Sequence, residues 1–278
     1  MHGTPGSRKG PKPRGIALYR QGIRLISYDR PGYGMSDRRE GRDVADAAND
    51  VAAVAGFLGL KRFAIVGRSG GGPHALACAA HPAVRSMVTR VAVLVSFAPW
   101  DSPDVDWYDG MNEDNVRGFG RDAPDTATVE AEIAWRAKQA GQDPYHLIRH
   151  LMEQMPPKDL QTINQYALRR KIVESHGEAL RTGPYGWIDD ALALRRDWKF
   201  DLAAIDTDQI KVLIWHGAHD TFAPVGHAHL LHQAIPGATM QVDPHAAHFD
   251  AIEVLPRLLP WLIQGSEPAR TGALIGAS

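Results

Sequence analysis

Among 278 residues there is a single cysteine, Cys78. It cannot close an internal disulfide, and no C-x-x-C ligand spacing can form, which excludes a disulfide-stapled scaffold and a cysteine-held zinc. Excess charge is missing too: 31 basic against 32 acidic side chains leave a formal net charge of −1. Neither sign gathers into a run that would hold phosphate backbones or an anionic membrane, so neither nucleic acid nor membrane is expected as a partner. No stretch approaches the ~20 apolar residues needed to cross a bilayer. Residues 1–6 lack the apolar centre of a secretory signal. A cytoplasmic protein is the expectation, acting on a small molecule and needing no cofactor or metal, with a homodimer left open.

With 44% hydrophobic and 23% charged residues, the chain can bury the core of one α/β unit. Runs rich in β-formers at 23–28, 63–66, 90–97 and 211–216, and a weaker one at 239–242, are each followed by a helical pattern. That alternation predicts an α/β fold with a mostly parallel sheet and flanking helices. Between the first two runs, Val44, Ala47, Ala48, Val51, Val54, Ala55 and Leu58 recur at helical spacing until Gly59, which reads as a crossover helix.

From 99 to 200 the strand rhythm gives way to helical segments at 126–139, 145–155, 158–176 and 188–196. The expected organisation is therefore a core of 1–98 and 201–264, a helical insertion at 99–200 and a disordered tail at 265–278, whose residues are small and polar. Trp107, Trp135, Tyr145, Tyr166 and Trp187 fall in the insertion, where they suit either an apolar substrate pocket or plain core packing.

The chemistry centres on Gly67-Arg68-Ser69-Gly70-Gly71, which follows the apolar run Phe63-Ala64-Ile65-Val66 and precedes a helix with Pro73 near its first turn. A serine on such a strand-to-helix turn is lifted above the sheet, and small neighbours allow other segments to come close. No Lys-Ser/Thr pair follows, which argues against a phosphate loop.

A serine hydroxyl needs a base, and the base an orienting acid. Asp220 lies past the 211–216 run and His248 past the 239–242 run, so Ser, Asp and His follow in chain order at strand ends. His216, His219 and His245 are alternative bases, and Asp101 is an alternative acid. His227, His229 and His232 fall in one helix without a carboxylate, and a solvated helix face is expected there rather than a metal site. The amides of Thr4, in the loop 2–6, and of Gly70 are the expected oxyanion donors.

These pieces resemble the α/β-hydrolase superfamily, especially its esterase, proline-iminopeptidase-like and C–C-bond hydrolase branches. The matching motifs are H-G-T-P-G at 2–6, D-R-P-G-Y-G-M-S-D at 29–37, G-R-S-G-G at 67–71, G-A-H-D at 217–220 and A-A-H-F at 246–249. The resemblance implies a triad of Ser69, Asp220 and His248, an oxyanion hole of Thr4 and Gly70, and a lid at 99–200. Arg68, Trp107, Trp135 and Trp187 are the residues expected to touch substrate. Serine rather than aspartate at 69 speaks against the epoxide hydrolase and dehalogenase branches.

The implied activity is hydrolysis of an ester, thioester or lactone of a small, partly apolar molecule through an acyl-serine intermediate. An aminopeptidase holding the substrate ammonium on Glu130, Glu132, Glu153 or Glu174, a C–C bond hydrolase and a non-catalytic binding protein are the alternatives. In the resembling family the H-G motif comes directly after the third strand, whereas Met1 alone precedes it here. Three strands are therefore expected to be absent, through a truncated gene product, direct pairing of 23–28 with 63–66, or completion by another subunit, with truncation the leading expectation.

Overall fold

The computed structural model describes residues 1–102, 106–264 and 273–275. After a short helix α1 (Gly15–Arg20) comes the crossover helix α2 (Ala47–Phe57), entered through a 3-10 turn at Val44–Asp46. Strand β1 (Phe63–Arg68), helix α3 (Gly71–Ala80) and strand β2 (Val88–Leu94) follow. Six helices then replace the strand rhythm: α4 (Glu113–Gly118), α5 (Thr126–Gln142), α6 (His146–Met152), α7 (Pro157–Ile163), α8 (Tyr166–Ala179) and α9 (Tyr185–Leu194). Strand β3 (Lys211–Gly217), helix α10 (Gly226–Ala234), strand β4 (Thr239–Asp243) and helix α11 (Ala251–Gln264) complete the alternation, and β5 (Ala273–Ile275) is the last element.

The sheet order is β1-β2-β3-β4-β5, with the first four strands parallel. Parallel strands joined by helical crossovers are covered on both faces, which is why their sequences are almost continuously apolar. Successive side chains serve opposite faces. Val91, Val93, Val212 and Ile214 pack with α3 and α10 in one cluster, while Ala92, Leu94, Leu213 and Trp215 pack with Val254, Leu258 and Leu262 of α11 in another. Within the tail expected to be disordered, Ala273–Ile275 instead pairs antiparallel with β4, Met240 opposite Ile275, and the ladder satisfies the outer edge of that strand. The rest of 265–278 lies outside the described residues.

Two further expectations are corrected. The run 23–28 forms no strand and does not pair with β1; Leu25 and Ile26 are 41% and 39% exposed. A groove of about 260 Å³ lies between it and β1, whereas ladder partners sit about 4.8 Å apart. Among the described residues, β1 is met on that side by Met1 alone, whose amino group donates to the Val66 carbonyl at 2.6 Å and whose carbonyl accepts from the Arg68 amide at 3.3 Å. The helix expected over 158–176 is broken at 164–165. At about 100° per residue, Ile163 and Ile172 would face opposite ways on one straight helix. The break lets both join Phe222 and Phe249 in a third apolar cluster.

Candidate active site

Ser69 sits between the end of β1 and the start of α3 with φ +54°, in the left-handed region that costs an L-residue roughly 1–2 kcal/mol. Backbone bonds hold it there: its amide donates to the Leu94 carbonyl and its carbonyl accepts from the Gly72 amide, both at 2.9 Å, and from the Ser96 hydroxyl at 2.9 Å. The closeness of α3 depends on Gly67, where a Cβ would come within 2.6 Å of the Gly72 Cα. The expected strand, strained serine and helix are therefore all in place.

Asp220 and His248 come from loops beyond β3 and β4. The loops are tied by the amides of Ala218 and His219, which donate to the carbonyls of Asp243 and Ala246 at 2.9 and 3.0 Å. One Asp220 oxygen, Oδ2, lies 2.8 Å from His248 Nδ1, while Oδ1 accepts from the amides of Phe222 and Ala223 at 2.8 and 2.9 Å. Burial alone would raise this carboxyl; the His248 imidazole and hydrogen bonds from His216 and His248 outweigh it and hold the group well below the usual carboxylate range. His216 Nε2 is shared, lying 2.6 Å from the Ala223 carbonyl and 3.3 Å from Asp220 Oδ2. His219, His245 and Asp101 are exposed, away from this pair.

Ser69 and His248 both face a cavity of about 80 Å³. No hydrogen bond joins their side chains among the described residues; such contacts commonly tighten only when substrate arrives.

The loop 2–6 runs beside Ser69. The amides of Thr4 and Gly70 donate to no acceptor among the described residues, and a Cβ on Gly70 would come within 2.8 Å of the Thr4 Cβ. Arg30 braces this loop from behind, donating to the His2 and Gly3 carbonyls at 2.6 and 3.3 Å. Both Arg30 and Arg42 pair with Asp190 of α9, which is fully buried. Burial would raise the Asp190 carboxyl, but the two guanidinium charges hold it well below the usual range.

A second helix carboxylate, Asp159 of α7, accepts from the His248 and Phe249 amides at 3.3 and 2.7 Å. Burial pushes Asp159 up to about 6 against the opposing pull of His248. Neither aspartate was singled out from sequence. Asp189-Asp190 within an otherwise apolar helix was the available signal, because a buried carboxylate requires partners.

Of the expected substrate contacts, Arg68 and Trp187 line the cavity. Trp107 does not: its indole N–H donates to the Ala98 carbonyl at 2.8 Å and its ring packs on Phe97, Phe119 and His227, so it is core. Trp135 is 55% exposed on α5. His227 is not on a solvated face as expected; it is buried and accepts from the Ala98 amide at 3.2 Å, although His229 is exposed. Among the described residues, no three His, Cys, Asp or Glu side chains converge as metal ligands. No described helix is long and apolar enough to cross a membrane.

The chain matches the family model for the alpha/beta hydrolase fold over residues 1–254. It is similar to the AB hydrolase superfamily protein YisY of Bacillus subtilis (strain 168), 28% identical over 254 residues that cover 89% of this chain and 83% of that protein. A shorter match is 36% identical to the bifunctional esterase/perhydrolase DCH of Acinetobacter calcoaceticus over 100 residues, 35% of each chain. Superposition on the crystal structure of bromoperoxidase from Bacillus anthracis gives a TM-score of 0.66 at 22% identity, covering 92% of this chain and 86% of that one. Sequence and architecture agree, and the chain belongs to the alpha/beta hydrolase fold family.

Proposed function

We propose that the protein is a serine hydrolase that cleaves a carboxylic ester, thioester or lactone of a small, partly apolar molecule. The observation that carries this is the strained Ser69 facing the same cavity as His248, which is itself 2.8 Å from the buried Asp220 carboxylate. His248 Nε2 removes the Ser69 proton as Oγ attacks the carbonyl carbon, while Asp220 holds the ring through Nδ1 and stabilises the imidazolium. The amides of Thr4 and Gly70 receive the oxyanion. Collapse of that intermediate expels the alcohol, protonated by His248, and leaves acyl-Ser69. Water activated by the same imidazole then releases the acid.

An ester is favoured over an aminoacyl amide because none of Glu130, Glu132, Glu153 and Glu174 lines the cavity. The carboxylate that does, Asp114, already has three basic side chains around its Oδ1, Arg117 at 2.5 Å, His150 at 3.0 Å and Arg136 at 3.7 Å, although its Oδ2 is enclosed without a partner among the described residues. The esterase named among the relatives supports the same choice. Labelling with a neutral fluorophosphonate tests the mechanism: Ser69 is modified, and modification vanishes in Ser69→Ala and falls sharply in His248→Ala. A folded but unlabelled protein overturns it and leaves a non-catalytic binding protein.

A further inference from the structure

Arg68 is the last residue of β1 and immediately precedes Ser69. It lines both the cavity at Ser69 and the larger groove beside β1, the two spaces meeting at Gly3 and Arg68. The arginines that are buried all have carboxylates: Arg30 and Arg42 share Asp190, and Arg136, which also lines the Ser69 cavity, meets Glu132 at 2.7 Å. Arg68 differs. Its guanidinium has no hydrogen bond or ion pair among the described residues, and burial draws its pKa down to about 10 with no neighbouring carboxylate to offset the loss. Arg68 is only partly buried and borders the groove, so its guanidinium is left to pair with an anion that enters this space rather than with one supplied by the fold.

A second polar group faces the same space. His176, at the end of α8, also lines the Ser69 cavity, and its Nδ1 is enclosed without a partner. Burial, helped by the Arg68 charge, lowers His176 to about 4, so its ring is neutral and can offer an N–H.

We propose that Arg68, assisted by His176, receives a carboxylate carried by the substrate a few bonds from the scissile carbonyl. The planar fork of a guanidinium matches the two oxygens of a carboxylate, and the cation so placed is paired only when substrate is bound. The inference rests on the serine-hydrolase reading of the site and narrows it to esters bearing an acidic group on either the acyl or the alcohol side.

Two ester pairs test it with the full chain: monomethyl succinate against dimethyl succinate, read as methanol release, and acetoxyacetate against its methyl ester, read as acetate release. The measured quantity is the ratio of kcat/KM within each pair, which a general loss of folding or of serine reactivity leaves unmoved. In at least one pair the wild-type protein prefers the anion, Arg68→Gln lowers the ratio on the order of 10- to 100-fold, mainly through KM, and Arg68→Lys falls between. If Arg68→Gln does not fold, inhibition of the wild type decides, with succinate expected to inhibit at least about tenfold more strongly than succinamide. Equal inhibition, or ratios that Arg68→Gln leaves unchanged in both pairs, overturns the inference. If Ser69 still labels with fluorophosphonate in that event, the hydrolase reading stands. If Ser69 does not label and neither ester of any pair is cleaved, the hydrolase reading fails and takes the inference with it.

Discussion

The hydroxyl of Thr4 donates to Asp190 Oδ2 at 2.5 Å, anchoring the loop beside Ser69 on helix α9, 186 positions away in the chain. The same carboxylate accepts from Arg30, from Arg42 at 2.5 Å and from the Tyr33 hydroxyl at 2.8 Å. Replacing Asp190 by Asn leaves two enclosed guanidinium groups without a counter-charge. Urea unfolding at pH 7 is expected to show a loss of about 3–5 kcal/mol. Because the folded-state pKa is depressed, the stability Asp190 supplies is present above its unfolded pKa of about 3.8 and is lost as the pH falls.

Asp220→Asn is expected to reduce turnover by about 10²–10⁴, since the amide cannot stabilise the imidazolium and favours the wrong tautomer of His248. Asp101, exposed at the surface, has no such partner, and Asp101→Asn is expected to stay within about twofold of the parent. Steady-state kinetics on the two variants decide between them, and the reverse order would place the acid after β2.

Ser69→Gly removes both the proposed nucleophile and the Cβ held at φ +54°. Esterase activity is expected to disappear while the unfolding free energy rises by up to about 1 kcal/mol, the relief at the left-handed position being partly offset by greater freedom in the unfolded chain. A rise confined to Ser69→Gly and absent from Ser69→Ala ties the gain to the backbone.

For Asp159 the sign is opposite to that of Asp190. Its folded-state pKa lies near 6, above the usual 3.8, so the unfolded chain gives up this proton first and ionisation destabilises the fold as the pH rises from about 4 to 6. The stability of Asp159→Asn relative to the parent is therefore expected to increase by roughly 2 kcal/mol between pH 4 and pH 7. Chemical unfolding at the two pH values measures that change, and a flat difference refutes it.

Which side chains carry the site and which carry the fold were legible to different degrees. Four parallel strands and their crossover helices could be read along the chain because each is encoded locally, by apolar runs punctuated with glycine and by helical spacing. The positions of Ser69, Asp220 and His248, the residues of the candidate site, could be read for a related reason: strand ends place their loops at one edge of a parallel sheet, whatever the details of packing. Position 23–28 misled because β-rich composition makes a strand only when a neighbour lies at ladder distance, and a groove lies there instead. Ala273–Ile275 misled in the other direction, a short polar-flanked segment becoming a strand because β4 offers it an edge.

What tertiary structure alone decided is which polar groups are paired inside the fold. Trp107 went to the core and Trp135 to solvent although both sit in the stretch expected to be helical, because Trp107 lies in a turn that packs its ring on Phe97 and Phe119 while Trp135 stands 55% exposed on α5. Asp190 found Arg30, Arg42 and Thr4 across some 150 or more positions of chain, and Arg68 was left without an anion beside Ser69. Local composition determines elements through backbone propensity and burial of apolar surface. Charge pairing acts over a few ångströms between segments far apart in the chain, so the fold has to form before it exists.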